Sequence, residues 1–151
     1  MLKKSIKTIF EALRSDHQIQ RQLIDELLET SGESPKREEL FTKLKRELAV
    51  HAMAEERHFY IPLMKDELTQ EKARHSVAEH PELDEFIEEL ENTEMSSPAW
   101  LATAKKMGHR IIHHLDEEEQ EVFQLAGKAL EEEQKENLAT QYRQAMNEHG
   151  A

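Results

Sequence analysis

Apolar residues recur every three to four positions through most of this chain, the period of an amphipathic α-helix rather than of a strand. Ile6, Ile9, Phe10, Leu13, Ile24 and Leu27 share one stripe with His17, which predicts a first helix from about Lys3 to Thr30, bent near Ser15-Asp16. Residues 30–35 read as a loop, with Ser34 as an N-cap and Pro35 at the first helical position. A second helix is predicted from about Pro35 to Lys65, with Leu40, Leu44, Leu48, His51, Glu55 and Phe59 inward and Pro62 kinking or fraying its last turn. A third spans about Thr69 to Asn92 and turns Val77, His80, Leu83, Ile87 and Leu90 to one face; Pro81 should kink it or make it restart. Residues 93–97 form the next loop. Ser97-Pro98 then repeats the earlier cap and opens a fourth helix to about Ala126. Residues 130–148 predict a short fifth helix, weakly amphipathic through Leu130, Leu138 and Tyr142. Four long helices joined by short loops predict an all-α, up-down-up-down four-helix bundle over residues 1–127, with 128–151 as a helical extension on or beside it.

The pattern repeats. Sliding the chain by 63 residues superposes its halves without a gap, so that the first and second helices return as the third and fourth. Asp16-His17 falls on Glu79-His80, and Ser34-Pro35 falls on Ser97-Pro98. Leu44, Leu48, His51, Glu55 and Glu56 fall on Met107, Ile111, His114, Glu118 and Glu119. Of the nine histidines, His17, His51, His80 and His114 each land on another histidine. His58, His75, His109 and His113 land on other residue types, and His149 lies beyond the repeat.

Composition narrows the chemistry. With 34% charged residues, four Gly, four Pro and 5% aromatics, the chain suits solvent-facing helices better than sheets. A formal net charge of −12 argues against nucleic acid and anionic membranes as partners. No apolar run approaches the roughly 18 residues of a membrane span. Met1-Leu-Lys-Lys mimics the start of a signal peptide, but Glu11 and Arg14 interrupt the apolar stretch that should come next, so a cytoplasmic protein is expected. The absence of Cys removes disulfides, iron–sulfur clusters and thiol catalysis.

What remains is a set of polar residues on apolar stripes. His51 and Glu55, and likewise His114 and Glu118, stand one helical turn apart on faces that are otherwise apolar. Burying them is costly unless something pairs with them, and no Lys or Arg lies on the inner stripes beside them. Two-fold symmetry brings four imidazoles and two carboxylates toward one axis, which is the donor set of a di-metal site. Nitrogen and oxygen ligands without thiolate suit iron or manganese, and zinc less well. By symmetry, His17 with His51 hold one metal and His80 with His114 the other. Glu55 and Glu118 bridge them, leaving positions for a bridging oxygen and an external ligand. Glu56 and Glu119 read as solvated neighbours, and Phe59 and Tyr60 as core packing. His58 reads as a spare ligand or outer donor; His109, His113 and His75 are weaker candidates.

The spacing H-(x33)-H-x-x-x-E-(x24)-H-(x33)-H-x-x-x-E, with Asp16 and Glu79 before the first and third histidines, resembles the hemerythrin-like, or HHE cation-binding, family. The flanks Glu-Glu-x-x-Phe-Tyr-Ile-Pro and Glu-Glu-x-x-Val-Phe add to the likeness, which covers residues 3–127. It implies a four-helix bundle around two non-haem irons that binds dioxygen or a related small ligand. Family members serve as carriers, sensors, or iron- and stress-response proteins. The family's ligands fall on His17, His51, Glu55, His80, His114 and Glu118.

One departure bears on function. The oxygen-carrying members have a second histidine one turn from the third-helix ligand, and an Asp five residues after the fourth-helix histidine. Here Ser76 and Asp84 flank His80, and Glu118 comes four residues after His114. The resemblance then implies one protein ligand fewer on the second metal. Reaction with oxygen, peroxide or nitric oxide, or iron exchange, fits that better than simple oxygen carriage. A binding or sensing role is expected ahead of turnover, with a ferroxidase or peroxide-reducing enzyme as its rival. A ferritin-like centre needs Glu-x-x-His on two helices, and only Glu55–His58 supplies one. A metal-free helical interaction module would purify colourless and lose no stability to chelators.

Overall fold

A computed structural model describes residues 7–150 as five helices, with no strand among the described residues. The expected helix start at Lys3, the apolar Ile6 and the Met1–Lys4 segment lie outside them. α1 (Ile9–Leu28) runs unbroken through Ser15-Asp16. It starts where Thr8 accepts a hydrogen bond from the Glu11 amide at 3.3 Å, in a Thr-x-x-Glu pattern that marks helix starts. Gly32 turns the chain after it with φ +61°, a left-handed conformation open to glycine at little cost.

α2 begins as a regular helix (Pro35–Glu55) capped by Ser34, passes through a π-helical turn (Glu56–Tyr60) and finishes at Ile61–Met64. α3 comes in two segments, Gln70–Ala78 and His80–Glu91, because Pro81 starts a fresh helix with its missing N–H at the free end. α4 repeats the plan of α2: Pro98–Glu117 capped by Ser97, a π-helical turn Glu118–Val122, then Phe123–Ala129. α5 (Glu132–Gly150) is the expected C-terminal helix, displaced by two residues and 19 residues long.

α1 packs along α2 and α4, α3 along α4, and α5 lies against both α1 and α2. α4 packs against α1 at Gly108, where an added Cβ would meet Ile24 Cγ2 at 3.0 Å. Two apolar clusters fill the bundle. One holds Leu44, Leu48, Trp100, Met107 and Ile111 with their neighbours. The other holds Ile9, Leu13, Phe59, Tyr60, Phe123 and, from α5, Ala139, Tyr142 and Ala145. At the loop end Arg37 is 1% exposed. Its guanidinium donates to Thr30 Oγ1, Thr30 O and Met95 O at 2.6–2.9 Å and stacks on Trp100. Between the two clusters, at the same height on α1 to α4, lies a layer of polar side chains.

Candidate metal centre

That layer holds His17 of α1, His51 and Glu55 of α2, His80 of α3, and His114 and Glu118 of α4, all buried and none more than 8% exposed. The structure thus brings together all six residues singled out in the sequence. His17 and His51 rings lie 5.1 Å apart and His80 and His114 rings 5.3 Å apart, each pair edge to face. Each carboxylate lies between the pairs. Glu55 turns Oε2 toward His51 Nε2 (3.4 Å) and His17 Nε2 (3.7 Å), and Oε1 toward His80 Nε2 (3.6 Å). Glu118 turns Oε1 toward His17 Nε2 (3.2 Å) and Oε2 toward His114 Nε2 (3.7 Å). The donor atoms of His17, His51 and Glu55 lie within 4.8 Å of one another, and so do those of Glu55, His80 and His114.

Inward-facing atoms lack partners while outward-facing ones have them. His17 Nε2, both oxygens of Glu55 and Glu118 Oε1 are buried without a hydrogen bond. On the other side of the rings, every Nδ1 is held. His17 Nδ1 meets Glu119 Oε2 at 2.6 Å, His80 Nδ1 meets Glu56 Oε1 at 2.8 Å and His114 Nδ1 meets Glu79 Oε1 at 3.1 Å. His51 Nδ1 meets the hydroxyl of Tyr142 at 2.6 Å, and that hydroxyl donates to Asp16 Oδ2 at 2.5 Å. An outer hydrogen bond fixes ring orientation and points the Nε2 lone pair at the centre, the arrangement by which proteins prepare histidines for a cation.

The π-helical turns position the polar layer. Each begins beside a central carboxylate and closes with a wide backbone bond, Ile61 N–H to Glu56 O and Phe123 N–H to Glu118 O. One extra residue per turn rotates the next stretch of helix by about 100°. Consecutive residues can therefore both face inward, as the buried pairs Phe59-Tyr60 and Val122-Phe123 do. Tyr60 is thereby aimed across the bundle, and its hydroxyl donates to Glu118.

Without a cation the layer is electrostatically unsatisfied. Burial, then the charge of Glu55, pushes Glu118 up to about 8. Burial also works to raise Glu55, but the charge of His51 and the closeness of Glu118 and His17 outweigh it and hold the group well below the carboxylate range. Burial opposes protonation of His17 and His80. The carboxylates Glu118, Glu119 and Glu55 beside His17 nonetheless raise it well above its ordinary value, and Glu55 and Glu56 raise His80 to about 9. Burial, helped by the charge of His80, lowers His114. Among the described residues no Lys or Arg pairs with the two central carboxylates; Arg21 pairs with the outer Glu119 and with Asp116, and Arg110 with the outer Glu79 and with Glu82. Protons are all that balances the cluster, and cations fit the atoms left over better.

Several outer residues differ from the sequence reading. Glu56 and Glu119 are not solvated bystanders, since each holds a histidine of the opposite half of the repeat. Their role was legible only in the shift symmetry, which maps one contact onto the other. Tyr60 packs in the core as expected but also bonds Glu118. Tyr142 lay outside the repeat and carried no signal beyond an apolar position. His58 is half-buried and burial, then the nearby Arg57 charge, lowers it; its polar contact is with Gln141 rather than the centre. His109 is exposed, and His75 and His113 pair at the surface with Glu117. Ser76, where the oxygen carriers have a further histidine, is buried and in polar contact with Tyr60, while Asp84 is exposed.

Comparison with known proteins gives three further findings. Residues 8–126 match the family model described as the hemerythrin HHE cation binding domain. A solved structure of a hemerythrin HHE cation binding domain-containing protein from Mycobacterium kansasii superposes with a TM-score of 0.86 at 21% identity, over 95% of this chain and 88% of that one. A protein of Nostoc sp. described as a DNA nickase is 25% identical over 144 residues, which span 95% of this chain but 40% of that protein.

Proposed function

The chain belongs to the hemerythrin HHE cation-binding domain family, and on that footing we propose that it holds two non-haem iron ions at which it binds or senses a small ligand such as dioxygen, nitric oxide or peroxide. His17 and His51 would hold one ion and His80 and His114 the other, with Glu55 and Glu118 spanning both. The observation that carries this reading is the convergence of unpartnered buried donors, His17 Nε2, Glu55 Oε1 and Oε2, and Glu118 Oε1, on a point ringed by four outwardly anchored imidazoles. Iron bound there would supply redox chemistry and vacant coordination positions. The protein's own part is to exclude water, orient the imidazoles and fix their tautomers.

The surroundings favour a small, weakly polar ligand. A cleft of about 470 Å³ between α2 and α3 is lined by Leu48, Met53, Val77, Leu83 and Ile87 and reaches His80 and Glu56. It offers an apolar approach to the second metal position. The alternative donor set, with manganese or zinc in place of iron, uses the same six residues. A net charge of −12 repels a polyanion, so the activity named for the Nostoc relative, of which the match covers 40%, is not carried over.

Metal analysis and the absorption spectrum of freshly purified protein test the reading. Two irons per chain and a visible spectrum that shifts with oxygen, nitric oxide or peroxide are expected. A colourless protein with less than one metal per chain, indifferent to chelators, would falsify it. Steady loss of peroxide with turnover would move the assignment to an enzyme at the same centre.

A further inference from the structure

The four imidazoles are anchored alike in the two halves of the centre except at one place. His17 to Glu119 and His80 to Glu56 are equivalent contacts under the 63-residue shift. Glu79 to His114 should likewise have Asp16 to His51 as its counterpart. It does not. Asp16 is one methylene shorter than Glu79, and the Tyr142 hydroxyl stands between the two groups, 2.6 Å from His51 Nδ1 and 2.5 Å from Asp16 Oδ2. The phenol's single hydrogen is donated to Asp16, so His51 must donate its own Nδ1–H to the phenol oxygen. Tyr142 is 0% exposed, with its ring in the apolar cluster and 5.9 Å from the His51 ring.

We infer that Tyr142 is a positioning residue for His51, and that through it α5 completes the centre and makes its two metal positions inequivalent. The inference rests on the dinuclear reading above. His114 leans on a carboxylate and His51 on a neutral phenol, and a carboxylate partner makes an imidazole the stronger donor to a metal. α5, which has no counterpart in the repeat, is therefore part of the site.

Stepwise titration of the metal-free full chain with cobalt(II), monitored by visible absorption, tests this, with Mössbauer spectra of the 57Fe-loaded protein as a second readout. Wild type should take two equivalents in separable steps and show two distinct iron signals. Tyr142→Phe keeps the ring in the core but removes the hydroxyl, and should weaken one equivalent by about 10–100-fold while leaving the other in place. In the double variant Asp16→Glu with Tyr142→Phe, a carboxylate reaches His51 as Glu79 reaches His114, and the lost affinity should return. Against His51→Ala, Tyr142→Phe should cost nothing further, whereas a merely structural role would lower the remaining equivalent too. Two equivalents bound by Tyr142→Phe as by wild type, or both weakened alike, overturn the inference and leave the dinuclear reading intact. Fewer than two equivalents in wild type takes down the dinuclear reading, and the inference with it.

Discussion

Glu56 is 42% exposed at its side chain and Glu119 17%, yet each holds a buried histidine ring by its Nδ1. Removing such an outer partner costs about 10–100-fold in metal affinity, whereas on the proposed dinuclear reading removing a central carboxylate would take a ligand from both metals. Glu56→Gln and Glu119→Gln should therefore bind two metals more weakly, and Glu55→Ala and Glu118→Ala should lose them on desalting; equal retention in all four would contradict the distinction. The same layer sets a pH dependence. In the metal-free protein His80 is raised to about 9 and Glu118 to about 8, so both hold protons at neutral pH, and His17 is shifted in the same direction. A cation must displace those protons, so apparent affinity should fall as pH drops below about 8 and strengthen as it rises toward 9. Calorimetric titration at pH 7 in buffers of differing ionisation enthalpy should show proton release, and none would count against these protonation states. The six inner residues were legible because each sits on its own helix's apolar stripe, a property of local spacing. Glu56, Glu119, Asp16 and Glu79 act across the bundle, and no single-helix period carries that information.

Elements were legible to the degree that side-chain chemistry ends them. Ser34-Pro35, Ser97-Pro98 and Pro81 all set boundaries where expected, because a cap oxygen or a missing N–H acts on its own neighbours. The π-helical turns left no such mark. Proline is not their common cause, since Pro62 stands just after the first turn and Leu125 at the matching place after the second. Their only trace is the pair of adjacent large apolar residues, Phe59-Tyr60 and Val122-Phe123, and that is no distinctive signal, since the regular part of α2 also buries Leu40 and Phe41 together. The approach of α4 to α1 was equally silent, as Gly108 reads only as a weak point in a helix. There an alanine sets a helix-propensity gain of about 1 kcal/mol against a 3.0 Å contact with Ile24 Cγ2, a branch methyl that χ1 holds in place, and should come out near neutral. Gly108→Leu has no such room. It should lose about 1–3 kcal/mol in urea unfolding while metal content stays at two per chain, and unchanged stability would mean the helices part more easily than their packing suggests.

At the scale of the molecule, the polar layer divides what would otherwise be one continuous core. Apolar clusters lie above and below, and the layer between them holds two buried carboxylates with no Lys or Arg partner among the described residues. Buried charges of this kind are worth less to stability than apolar groups of the same volume, often by about 1–4 kcal/mol. The metal-free fold should then be less stable than its helices and core allow, and metal should return the difference by binding only the folded state. Glu55→Met with Glu118→Met separates the two effects, because methionine is unbranched and close in volume to glutamate. In the presence of a chelator this variant should unfold at higher urea than metal-free wild type, by about 1–4 kcal/mol, and should gain nothing when iron is added. Wild type should gain midpoint with iron and lose it again to the chelator. If the variant instead unfolds more readily than metal-free wild type, the carboxylates hold the helices together without metal, and the layer is a structural network rather than a site kept for cations.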